Sequence, residues 1–146
     1  MRDTARAMSE ENVKLVRQGY DALNSGDLEM ALAMFDPEVE VHLATDDADT
    51  VWGLDFQRSY HGIDGFLKFV ATLYEALGEF RWEPTEYRDA GDQVVVRIRM
   101  TARGRGSGVD VVQDMTHVCD IRDGKLIRHE TFFDRAAALQ AVGLSE

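Results

Sequence analysis

The chain predicts an α+β domain in which three N-terminal helices pack inside a strongly bent antiparallel sheet, with a short helix at the C-terminus. Three observations carry that prediction. Apolar residues recur at helical spacing through the first half, alternating strands follow without interruption in the second, and two apolar runs near the end flank a tight turn. A sheet bent around helices leaves an open-ended cone, and small-molecule sites favour concave places of this kind.

Val13, Val16, Tyr20 and Leu23 give the first helix one apolar stripe, and Asn24-Ser25-Gly26 ends it. The nine residues before Glu10 are polar and lack that period, so residues 1–9 are expected to form a flexible arm and 10–146 a single domain. Asp27 caps a second, short helix whose inner face is Leu28, Ala31, Leu32 and Phe35, stopped by Pro37. Glu38 to Leu43 alternates charge with Val39, Val41 and Leu43, a strand with one buried side. The segment after it is acidic and irregular, with Asp46, Asp47 and Asp49, yet it contains Trp52, Phe56 and Tyr60. That aromatic content suits a lid over something apolar.

Gly62 and Gly65 precede a third helix with the stripe Phe66, Val70, Leu73 and Leu77. Phe80 to Arg88, Asp92 to Arg103 and Val109 to Ile121 then read as successive strands, followed by a last one to Phe133, and Asp134 caps a final helix ending at Gly143. The central strand buries Val94, Val96, Ile98 and Met100, which turns Arg97 and Arg99 outward.

The last hairpin carries the strongest functional signal. A three-residue Arg122-Asp123-Gly124 loop sets His117 directly opposite His129 and gathers Met115, His117, Cys119, Ile121, Ile127, His129, Thr131 and Phe133 on one face. A two-residue Asp123-Gly124 turn is the competing register. It sets His117 against Glu130, so the first register is preferred. Opposed imidazoles resist double protonation, which suits one as a general base and the other as a hydrogen-bond donor to a developing enolate. Their bland alternative is a polar core in which they bond to each other, to Thr131 or to Tyr20. His42 is placed on the outer face and His61 in solvent.

Composition excludes several other classes. A formal charge of −11 and a pI near 4.7 oppose nucleic acid and anionic membrane as partners. One cysteine permits no internal disulfide, and no membrane-length apolar run or signal peptide stands out, so a cytoplasmic protein is expected. His117, His129 and Cys119 lack a carboxylate that would complete a metal set, and no cofactor motif occurs.

The run Tyr20-Asp21-Ala22-Leu23-Asn24-Ser25-Gly26-Asp27-Leu28, the segment Tyr60-His61-Gly62-Ile63-Asp64-Gly65, the turn Asp123-Gly124-Lys125, and Phe133-Asp134-Arg135 with Ala138-Leu139 resemble the SnoaL-like polyketide cyclase branch of the nuclear-transport-factor-2-like superfamily. The resemblance spans nearly the whole chain. It implies a cone-shaped α+β barrel, a homodimer through the outer sheet face and a pocket inside the cone, but no single reaction. The ketosteroid isomerase positions fall on Gly19, Leu43 and His117, and the limonene epoxide hydrolase positions on Ile98, Met100 and Thr131, so both chemistries are disfavoured. The cyclase type leaves His117, His129 and Asp134 as acid or base candidates.

The sequence therefore points to a cone that binds a small hydrophobic, cyclic or polyketide-like molecule. His117 and His129 are the catalytic candidates for cofactor-independent cyclisation or isomerisation. Tyr20, Trp52, Phe56, Tyr60, Ile98, Met100, Cys119, Thr131 and Phe133 are the candidates for shaping the pocket. The alternative is a noncatalytic ligand-binding or dimerisation module of the same fold.

Overall fold

The computed structural model describes residues 2–43, 59–103 and 110–144. Its elements run α1 (Arg2–Asn24), α2 (Leu28–Ala33), β1 (Phe35–Leu43), β2 (Ser59–His61), α3 (Gly62–Leu77), β3 (Phe80–Ala90), β4 (Gln93–Arg103), β5 (Asp110–Arg122), β6 (Lys125–Phe132) and α4 (Arg135–Ala141). The strands form one six-stranded sheet in the order β2-β1-β6-β5-β4-β3. Every pairing is antiparallel except β1 with β6, so the sheet is mixed and does not close.

Two boundaries differ from the sequence reading. Helix α1 begins at Arg2, so the backbone of residues 2–9 is helical where an arm was expected; alanines, arginines and methionine have high helix propensity even without an apolar stripe. Helix α2 stops at Ala33, and Phe35 and Pro37 already belong to β1. Proline lacks the ladder N–H, and the β1–β6 register shifts between Phe35 and Glu40, around it. Asp27 and Asp134 cap α2 and α4 by accepting from the backbone N–H groups of Met30 and Ala136.

One sheet face holds the main core. Val39 and Val41 of β1, Val94, Val96, Ile98 and Met100 of β4, and Phe66, Val70, Leu73 and Leu77 of α3 are buried together. Gly65 lets α3 come down on β2, because a Cβ there would sit 3.1 Å from the Tyr60 carbonyl carbon. On the opposite face α4 covers Val95, Val118 and Phe132 with Ala138 and Leu139. Arg135 ties that helix to β3 through both Glu86 oxygens at 3.1 Å. The outward Arg99 meets Asp114 across the β4–β5 ladder at 3.0 Å.

The last hairpin adopts neither predicted register throughout. Asp123 and Gly124 form the turn, both at positive φ (52° and 73°), with Arg122 opposite Lys125 and Ile121 opposite Leu126. This is the two-residue turn. The register then shifts, and Asp120 faces Arg128, leaving Ile127 as an extra residue on β6. Two consecutive residues now occupy the outer side, so Leu126 enters the core in place of Ile127, and His129 and Thr131 still face inward. His117 lies opposite Thr131, and Cys119 opposite His129.

Candidate functional site

The two histidines are therefore diagonal neighbours rather than directly opposed, and they still touch. Their ring centroids are 4.3 Å apart, at 64°. Both rings are buried, with His117 fully enclosed.

His117 is held at both nitrogens. Its Nδ1 lies 2.6 Å from the Tyr20 hydroxyl and its Nε2 3.3 Å from Met115 Sδ. A thioether can only accept, so Nε2 carries the proton, Nδ1 is bare, and the Tyr20 O–H donates to it. Burial, reinforced by the neighbouring His129, pushes the His117 pKa well below its ordinary 6.5. Cys119 interacts with the Tyr20 hydroxyl, and burial pushes its thiol up to about 12, which leaves it protonated and unreactive at neutral pH.

His129 differs in one respect: among the described residues neither of its nitrogens has a hydrogen-bond partner on another residue. Burial lowers its pKa to about 4, so it is neutral at pH 7. Beside it stands Trp82, which the sequence reading passed over. Its indole lies nearly parallel to the His129 ring, 10° and 5.9 Å between centroids, and edge-on to His117 at 4.8 Å. Trp82 is also buried, and its Nε1 likewise lacks a partner among the described residues. Asn24, the last residue of α1, fixes it from the edge of the sheet. The Asn24 amide donates to the Trp82 carbonyl at 2.7 Å and accepts from the Trp82 N–H at 3.0 Å.

His129 and Trp82 border a cavity of about 50 Å³ between α1, α2 and the sheet, partly open to solvent. The remaining wall is apolar: Leu15, Val16, Leu23, Met34, Phe35, Phe66 and Leu126, with Gly19, Tyr20 and Cys119. No carboxylate and no cation belongs to this lining among the described residues. Pockets that enclose drug-sized ligands run to roughly 300–1,000 Å³. This one has room for the edge of a ring.

Of the predicted site residues, the structure brings Tyr20, His117, Cys119 and His129 together. Ile98 and Met100 are fully buried in the core beside them rather than on the cavity wall. Thr131 faces His117, and its buried Oγ1 lacks a partner among the described residues. Tyr60 packs on Phe69, and Phe133 packs against the main core. Trp52 and Phe56 lie outside the described residues. His42 is half-buried beside Glu40, and the exposed His61 pairs with Glu38 at 2.9 Å. The described residues hold no cluster of three or more potential metal ligands, and no described helix is long and apolar enough to cross a membrane.

Comparison with known proteins fits this geometry into a family. The SnoaL-like domain family matches residues 16–129, the stretch from the middle of α1 to the cavity histidine. The chain is a member of the SnoaL-like family. Among solved structures, TerC co-crystallised with polyporic acid aligns over 91% of this chain and 98% of its own, at 27% identity and a TM-score of 0.73. An NTF2-like protein of unknown function from Burkholderia pseudomallei aligns over 90% and 97%, at 25% identity and a TM-score of 0.72. A candidate SnoaL-like polyketide cyclase from Jannaschia shares 20% identity over 94% of both chains, at a TM-score of 0.70, which is a likeness of fold. A search among curated proteins gives no match.

Among the described residues the cavity wall thus carries an imidazole and no carboxylate, and burial keeps that imidazole neutral.

Proposed function

We propose that the protein binds a small hydrophobic, cyclic or polyketide-like molecule at the cavity between α1 and the sheet, and that His129 transfers a proton within it. One observation carries this reading: a buried, neutral imidazole with both nitrogens unpartnered among the described residues stands on an otherwise apolar wall. A buried polar group without a partner costs about 1–3 kcal/mol, a cost that a bound ligand relieves. TerC, which is similar in fold, was co-crystallised with polyporic acid, and this supports a small-molecule ligand for the present chain.

The bare nitrogen of His129 would take a proton from a carbon next to a ligand carbonyl. The C–H electrons move onto the carbonyl oxygen, and the enolate then attacks a second carbonyl in cyclisation or is reprotonated at another carbon in isomerisation. His117 does not touch the ligand in this scheme. With one nitrogen bonded to Tyr20 and the other to Met115, it is a positioning residue that sets the edge against which His129 stands.

The test is hydrogen–deuterium exchange of the acidic C–H of an aryl 1,3-diketone in D2O, followed by NMR with wild type and His129→Asn. The expected outcome is an acceleration that falls by about 10²-fold or more in the variant, the usual contribution of a positioned base. Equal exchange in both proteins, with the diketone still bound, would instead identify a noncatalytic ligand-binding module.

A further inference from the structure

The outer face of the sheet carries a charge that the chain leaves unmatched. Arg97 of β4 is half-buried, yet among the described residues its guanidinium has no hydrogen bond and no ion pair. The chain has 27 acidic residues against 16 lysines and arginines, and none of those described answers it. Glu86, directly across the β3–β4 ladder, accepts from Arg135 at both oxygens, and Asp114, on the same face of β5, is bonded to Arg99. A charge partly withdrawn from water without a partner is costly.

Arg97 borders a gap of about 10 Å³ beside α4, on the opposite side of the sheet from the histidine cavity. The other walls are Glu86, Arg88, Val95, Thr116, Arg135 and Leu139. Thr116 pairs directly with Arg97 in the β4–β5 register, so the two side chains leave the sheet on the same face. It is 2% exposed, and its Oγ1 has no hydrogen-bond partner among the described residues. An unmatched guanidinium and an unmatched hydroxyl therefore meet at one gap.

Charge and shape select what fits there. Three guanidiniums and one carboxylate leave two positive charges around the gap. The arginines come from β3, β4 and α4, and so approach from different directions. A planar carboxylate serves one guanidinium, as Glu86 serves Arg135. A tetrahedral dianion turns separate oxygens to separate arginines. The gap has room for about one oxygen, since a water needs roughly 10–15 Å³ of such space. The other oxygens, and any substituent on them, stay toward solvent, where the half-buried arginine side chains can close on them.

We propose that this gap is a phosphate site, in which one oxygen accepts from the Thr116 hydroxyl and Arg97, with Arg88 and Arg135, holds the others. The ligand is the free ion or a phosphate monoester. The site uses neither His129 nor the cavity, so it stands or falls apart from the function proposed above.

The test is titration of the ¹⁵N-labelled full chain with inorganic phosphate at pH 7 and constant ionic strength, following the arginine Nε–H signals. The expected result is a saturable shift of the Arg97 signal, with acetate binding at least tenfold more weakly. Thr116→Val should weaken phosphate binding about tenfold, the size of one hydrogen bond to a charged group, and Arg97→Gln at least as much, read from Arg88 and Arg135. Arg99→Gln, on the same face but bonded to Asp114, should change it less than twofold. Phenyl phosphate in place of phosphate identifies the source, because tighter binding marks a monoester and equal binding the free ion, and either upholds the site. No saturable shift, equal losses in Arg99→Gln and Arg97→Gln, or acetate bound as tightly as phosphate would overturn the proposal. So would an Arg97 signal that moves with protein concentration and not with phosphate, which marks a second copy of the chain on this face. Circular dichroism checks each variant, and if Thr116→Val or Arg97→Gln does not fold the other decides alone.

Discussion

At the scale of single residues, the contrast between the two histidines follows from what each can reach. Met115 and Tyr20 bracket His117 and leave it one tautomer, whereas His129 lies against the rings of Trp82 and His117 with no hydrogen-bond partner on another described residue. Tyr20→Phe removes the donor to His117 Nδ1 and leaves a fully buried acceptor unpaired. We expect a loss of about 1–3 kcal/mol in urea unfolding. A long-range ¹⁵N–¹H spectrum of the wild type should show His117 protonated at Nε2, and a proton at Nδ1 would reverse the donor assignment. Tyr20, Cys119 and both histidines were legible as inward residues because a helix period and a strand period each fix a face. Trp82 was not. It alternates with Phe80 and Pro84 in an otherwise charged strand, which reads as ordinary core, and only the fold shows that its Nε1–H ends without a partner.

At the scale of elements, a hairpin's facing depends on the turn and on every bulge after it. The sequence reading kept His117 and His129 together by choosing a longer loop. The chain does so with the shorter turn plus an extra residue at Ile127. Both routes turn His117, Cys119, His129 and Thr131 inward, so that part of the face was correct, while the partners of His117 and Cys119 were displaced by two residues and Leu126 took the place of Ile127. No local signal marks that bulge, since Ile127 and Leu126 are equally apolar. The parallel β1–β6 pairing was hidden for a related reason: β1 and β6 are far apart in sequence, and no short turn connects them. The link from α1 to β3 is a testable consequence of the arrangement. Asn24 gives β3 a side-chain substitute for a neighbouring strand, so Asn24→Ala removes two hydrogen bonds and loosens the edge carrying Trp82. The expected cost is about 1–3 kcal/mol in chemical denaturation, and a variant as stable as wild type would show that β3 holds its edge without Asn24.

At the scale of the whole molecule, two opposing electrostatic terms set the response to acid. A formal charge of −11 at pH 7 means that mild acidification first relieves repulsion among carboxylates. The buried histidines act the other way. His129 titrates near 6.5 in the unfolded chain and at about 4 in the folded one, where its surroundings are His117, Trp82 and Cys119 and no carboxylate lines its cavity among the described residues. Between those values the unfolded state binds the extra proton, so this contribution to stability is complete above pH 6.5 and declines as pH falls toward 4. At 1.36 kcal/mol per pKa unit the shift amounts to about 3 kcal/mol. His117, lowered by burial and by its neighbour, adds a loss of the same sign. Comparison with His129→Phe cancels the carboxylate background common to both proteins. Urea unfolding at pH 7, 6, 5 and 4 should show the wild type losing about 3 kcal/mol more than the variant across that range. Parallel curves would mean that His129 is solvated and titrates alike in both states, which would also remove the buried, apolar surroundings on which its proposed chemistry depends.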